Sequence, residues 1–115
     1  MIRIPDINLA DDAPIWADVV RRIVAVSQPQ RIILFGSRAR GEARPDSDVD
    51  LLVVAESRLP RFKRASPLYG SLRDIPVAMD ILVFTPEEVR EWSQVPEALV
   101  TTALRQGKVL YEKPR

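Results

Sequence analysis

Gly36-Ser37, Asp48-x-Asp50 and Asp80 are the residues whose types and spacing could do chemistry. The apolar run Ile32–Phe35 stops at Gly36, and its β-branched and aromatic content predicts a short buried strand. Gly36 permits a tight turn. Ser37 follows where a helix N-cap would sit, and a turn of helix beginning there would present backbone N–H groups and the positive end of its dipole. Such an end suits an anion. Arg38, Arg40 and Arg44 add positive charge, partly offset by Glu42 and Asp46, so phosphate is the natural ligand.

Asp48–Val54 predicts a second strand, on which Asp48 and Asp50 project to one face because side chains alternate. Two ionised carboxylates on an otherwise apolar strand repel each other, and that arrangement is costly unless a cation lies between them. Such oxygen ligands suit a hard divalent ion, magnesium above all, which is commonly held by one or two carboxylates together with substrate phosphates. Asp80 is the only ionisable group in Val77–Phe84, which otherwise reads as a buried strand. Placed beside the Asp48–Val54 strand, Asp80 completes a three-carboxylate cluster able to bind two metals or to accept a proton from an attacking hydroxyl.

These residues need elements to position them. Residues 1–12 carry Pro5 and alternate weakly, as an arm or edge strand would. Ile15, Trp16, Val19, Val20, Ile23 and Val24 recur at helical spacing behind Asp12 as a cap, and Trp16 belongs to the apolar stripe. Between Glu56 and Ser66 the cations Arg58, Arg61, Lys63 and Arg64 cluster. They could meet triphosphate, RNA or an acidic partner, or form a solvated loop and helix start with Leu59, Phe62 and Ala65 turned inward, and the second reading is preferred. Ser66-Pro67 reads as a cap and first turn of a short helix. Thr85-Pro86-Glu87-Glu88 reads as a capping box, with Trp92 as packing. Pro96-Glu97 opens another helix that Gly107 closes, and Lys108–Glu112 alternates as a final strand. This order predicts an α+β domain with a small mixed sheet, helices packed against one face, and the reactive edge where three strands meet.

Composition excludes several mechanisms. The chain has no cysteine and no histidine, so disulfides, cysteine–zinc sites, histidine metal sites and Ser-His-Asp or Cys-His catalysis are unavailable to it. Any chemistry falls to carboxylates and a metal. With 115 residues there is room for one domain, spanning 1–115. A net charge of +1 argues neither for a strongly nucleic-acid-binding protein nor for a membrane-surface one, so direct nucleic-acid binding and a membrane are not expected. Neither a signal peptide nor a membrane span is evident, which predicts a cytoplasmic protein.

Gly36, Ser37, Asp48, Asp50 and Asp80, with the linking Arg38-Ala39-Arg40-Gly41-Glu42 and Asp46-Ser47-Asp48, resemble the minimal nucleotidyltransferase (MNT) family of the DNA polymerase beta-like nucleotidyltransferase superfamily. The resemblance extends from about Ile15 to Tyr111 and departs at none of the five motif positions. It implies a polymerase-beta-like palm. It also implies a magnesium-dependent transfer of AMP from ATP to an acceptor hydroxyl, with a two-metal site on Asp48, Asp50 and Asp80. Gly36, Ser37, Arg38 and Arg40 would then bind the nucleotide. Many minimal members are antitoxins that adenylylate a tyrosine of a HEPN-domain ribonuclease toxin, so the resemblance implies such a partner. Three alternatives stay open: a non-catalytic antitoxin that blocks its partner by surface contact, nucleotidyl transfer to a small molecule or RNA, and an RNA-binding protein using the Arg58–Arg64 patch. Homo-oligomerisation is also left open.

Overall fold

A computed structural model describes residues 13–37, 39, 41 and 48–114. The described elements are helix α1 (Ala13–Ser27), strands β1 (Arg31–Phe35) and β2 (Val49–Val54), helices α2 (Arg61–Arg64) and α3 (Ser66–Ser71), strand β3 (Met79–Phe84), helices α4 (Pro86–Trp92) and α5 (Leu99–Gln106), and strand β4 (Lys108–Glu112). The strands form one mixed sheet in the order β3-β2-β1-β4. β1 runs antiparallel to β2 and β4, while β2 runs parallel to β3 through the α2–α3 crossover. The expected arm at 1–12, its Asp12 cap and most of the loop after Gly36 lie outside the described residues.

The α+β class and the mixed sheet are as expected, and the helices occupy both faces rather than one. Ile32, Leu34, Val49, Leu51, Val53 and Ile81 pack with Trp16, Val19, Val20 and Ile23 of α1 and with Leu68 of α3. Ile33, Leu52, Val54 and Phe84 point the opposite way and pack against Val89 of α4 and Val100 and Ala103 of α5. The reason is the composition of the inner strands: apolar on successive positions, they present both faces for burial. Each fully buried Leu, Ile or Val contributes about 1.5–3 kcal/mol, so neither face could be left open. Gly107 lets α5 close onto β1, since a Cβ there would lie 2.5 Å from Ile33 Cγ2 and 2.9 Å from the Leu34 carbonyl oxygen.

Four local expectations are corrected. Ala65, not Ser66, caps α3, with Pro67 in the first turn. α5 begins after Ala98, later than Pro96-Glu97. Leu59 and Phe62 face solvent at 47% and 81% exposure, and Trp92, expected to pack, is 40% exposed. From α2 it is the Arg64 side chain, 9% exposed, that turns inward instead. Arg64 Nη1 donates to Glu88 Oε1 at 2.6 Å, and Arg64 Nε donates to the Leu59 carbonyl at 2.9 Å. Arg61 donates to Glu88 Oε2 at 3.1 Å and lies 4.5 Å over the Phe84 ring. Two of the four clustered cations are therefore spent on structure.

Glu88 is also the far half of the capping box. Its backbone N–H donates to Thr85 Oγ1 at 3.2 Å, and its Oε1 accepts from the Thr85 N–H at 2.9 Å. Burial pushes its carboxyl upward, but hydrogen bonds from Arg64, the Thr85 backbone and Arg61 outweigh that and bring it to about 2. A second brace lies across the other face, where Arg22 of α1 donates to the Ser71 carbonyl at 2.9 Å and to Asp74 at 2.5 Å.

The Glu88 network makes a pH prediction. A carboxylate held below its ordinary 4.5 contributes fully above that pH and loses its contribution as pH falls toward about 2. Urea denaturation should find Glu88→Gln destabilised by about 1–3 kcal/mol at neutral pH, with the gap to wild type closing through the acid window. A gap that is constant with pH would remove Glu88 as the titrating hub.

Candidate active site

The site is assembled by strand register. β1 ends at Phe35, which pairs with Asp50 of β2, and Asp50 in turn pairs with Asp80 of β3. The three positions form one row across the sheet at the end where β1 finishes and where β2 and β3 begin. Parallel and antiparallel neighbours lie about 4.8 Å apart, so the row brings two carboxylates side by side on adjacent strands. Both project from the α4–α5 face, because the alternate residues Val49, Leu51 and Ile81 point into the α1 core. Asp80 is exposed and Asp50 half-buried, while Asp48 is exposed immediately before β2.

Gly36 completes the row. Its φ is +76°, a left-handed conformation that favours glycine. A Cβ at this position would overlap Asp50 Oδ2 and would lie 3.1 Å from Asp50 Cγ. The missing side chain is thus the space that the Asp50 carboxylate occupies. Ser37 is half-buried in turn geometry, and Ala39 is buried in the core. Arg38 and Arg40, expected to bind nucleotide, lie outside the described residues, as does most of the turn expected to present N–H groups.

The donor set suits a divalent cation. Asp50 and Asp80 supply hard oxygen ligands from adjacent strands, with Asp48 two residues before Asp50. Among the described residues no group of three His, Cys, Asp or Glu side chains is placed to hold a metal ion. The expected three-carboxylate cluster is thus not drawn together: Asp50 and Asp80 pair across adjacent strands, and Asp48 stands before β2. The pairing of Asp80 with Asp50 was anticipated from the lone charge in an apolar strand. The role of Gly36 was not: a turn glycine and a glycine that makes room for a carboxylate look identical in sequence.

The chain is similar to known proteins. The family model for "Polymerase beta, Nucleotidyltransferase" matches residues 20–115. No curated protein matches the chain. A toxin–antitoxin crystal structure with AMP-PNP superposes with a TM-score of 0.58 at 25% identity, covering 85% of this chain and 73% of that one. A putative nucleotidyltransferase from Sulfolobus solfataricus superposes with a TM-score of 0.60 at 18% identity, covering 96% and 91%. A mutant of the toxin–antitoxin pair MntA–HpeT gives a TM-score of 0.56 at 22% identity, covering 85% and 73%. The last two likenesses bear on the fold alone.

Gly36→Ala should act on the site more than on the fold. The left-handed backbone costs about 1–2 kcal/mol with a side chain present, and the added methyl displaces the Asp50 carboxylate. Denaturation should show that modest loss, whereas calorimetry should show magnesium-dependent nucleotide binding weakened at least about tenfold. Unchanged binding would mean that the Asp50 carboxylate does not need the space beside Gly36.

Proposed function

The chain belongs to the polymerase beta nucleotidyltransferase family, and from that premise we propose that it is a magnesium-dependent enzyme transferring AMP from ATP to an acceptor hydroxyl. The observation that supports this most directly is the Phe35–Asp50–Asp80 row with Gly36 making room for the Asp50 carboxylate. In this reading Gly36 and Ser37, with Arg38 and Arg40, bind the outer phosphates, Asp48 and Asp50 would hold one magnesium, and Asp80 would hold a second near the acceptor. Magnesium, when bound, supplies neutralisation of the charge that develops on the transferring phosphoryl group. The acceptor oxygen forms a bond to the α-phosphorus while the α–β bridging bond breaks and pyrophosphate leaves. Asp80 accepts the acceptor proton. Most of the rate comes from positioning and electrostatics.

The acceptor we propose is a tyrosine of a partner HEPN ribonuclease toxin, silenced in the cytoplasm by a one-domain antitoxin. Support comes from the toxin–antitoxin structure solved with AMP-PNP. Among the described residues no helix is long and apolar enough to cross a membrane. The Arg58–Arg64 patch lends little support to an RNA-binding role, since Glu88 takes Arg61 and Arg64.

Calorimetry with AMP-PNP, with and without magnesium, tests the site. Wild type should bind only with magnesium, and Asp48→Ala/Asp50→Ala should not bind. Asp80→Asn should keep nucleotide binding and lower transfer by about a hundredfold or more. Co-expression with the toxin tests the biology: an enzyme loses neutralisation on Asp50→Ala, and a protein that still neutralises acts by surface contact.

A further inference from the structure

We propose that Tyr69 is a positioning residue for Asp80, clamping the peptide that follows it; this rests on the reading of Asp80 as metal ligand and proton acceptor. Among the described residues β3 is an edge strand, so β2 ties its backbone along one side only. The Val49 N–H donates to the Ala78 carbonyl at 2.9 Å and the Ala55 N–H to the Phe84 carbonyl at 3.0 Å. By the alternation of a parallel ladder, even-numbered positions of β3 then turn their amides to β2, and Ile81 and Val83 turn theirs outward. An outward amide beside a site residue leaves that residue on a strand free to fray.

The Ile81 N–H is not left to water. It donates to the Tyr69 hydroxyl oxygen at 2.7 Å. The Asp80–Ile81 peptide is therefore gripped from both sides, by β2 through Asp80 and by α3 through Tyr69. Tyr69 is 41% exposed, so burial of its ring accounts for only part of its place here. The helix that carries it is itself fixed. Leu68 is 1% exposed, and the Ser71 carbonyl accepts from Arg22 of α1. The chain of support runs from α1 through Arg22 and α3 to the backbone of Asp80. Productive ligand geometry tolerates about 0.5 Å of displacement, and an exposed carboxylate on an edge strand has no packing of its own to supply that precision.

The test compares Tyr69→Phe, which removes only the hydroxyl, with Asp80→Asn and wild type. Amide exchange by NMR reads the clamp, and Mn2+ titration by electron paramagnetic resonance with AMP-PNP reads the site. In Tyr69→Phe the Ile81 amide should exchange roughly three- to tenfold faster and Mn2+ should bind more weakly by a similar factor, with other β3 amides unchanged. Unchanged Ile81 exchange and Mn2+ affinity in Tyr69→Phe, beside weakened Mn2+ binding in Asp80→Asn, overturns the clamp and leaves the reading of Asp80 standing. Faster exchange along all of β3 with a lowered melting temperature makes Tyr69 a structural residue only and also overturns the proposal. Mn2+ affinity that Asp80→Asn does not lower refutes the reading of Asp80, and the positioning role with it, whatever Ile81 exchange shows.

Discussion

The parallel pairing of β2 with β3 is the constraint on which the rest depends, because its register sets Asp50 opposite Asp80. A slip of one residue would turn Asp80 into the α1 core and expose Ile81. The apolar alternation forbids that slip: Ile81 and Val83 are buried on one face and Phe84 on the other. Burial of neighbours thus fixes the placement of the two carboxylates.

A parallel pair needs a crossover, and the crossover here does more than connect. α2 and α3 lie between β2 and β3 in the chain, and their side chains return to the open edge of β3. Tyr69 takes the Ile81 amide, and Arg64 Nη1 donates to the Val83 carbonyl at 3.3 Å. Both outward groups would otherwise offer a template to another strand. The crossover thereby closes an edge and steadies the strand that carries Asp80. Glu88 belongs to the same arrangement, since it pairs with Arg61 and with the largely buried Arg64 and also completes the cap of α4. What remains at the surface of α2 is apolar as much as basic, with Phe62 outermost.

The elements and the family motif were legible in the sequence. Ile32–Phe35 and Leu51–Val54 are too apolar to be anything but inner strands, Thr85-Pro86-Glu87-Glu88 writes its own cap, and a lone aspartate in Val77–Phe84 marks a strand with a task. These signals are local: each depends on periodicity or on hydrogen bonds within a few residues. The distribution of helices over both faces was implicit in the same apolar runs, but periodicity within one element does not say which neighbour covers which face.

Contacts between distant parts of the chain were decided only by the tertiary structure. Gly36 meets Asp50 because β1 turns back antiparallel, Tyr69 meets Ile81 because α3 crosses the edge of β3, and Arg64 meets Glu88 because α2 packs beside the start of α4. None of these pairs is recognisable from residue type, since glycine, tyrosine and arginine each have common local uses. Sequence by itself determined which residues are candidates for the chemistry and which segments become strands, because hydrophobic patterning acts locally. Packing decided how those residues are held, because register and edge protection depend on where the rest of the chain comes to lie.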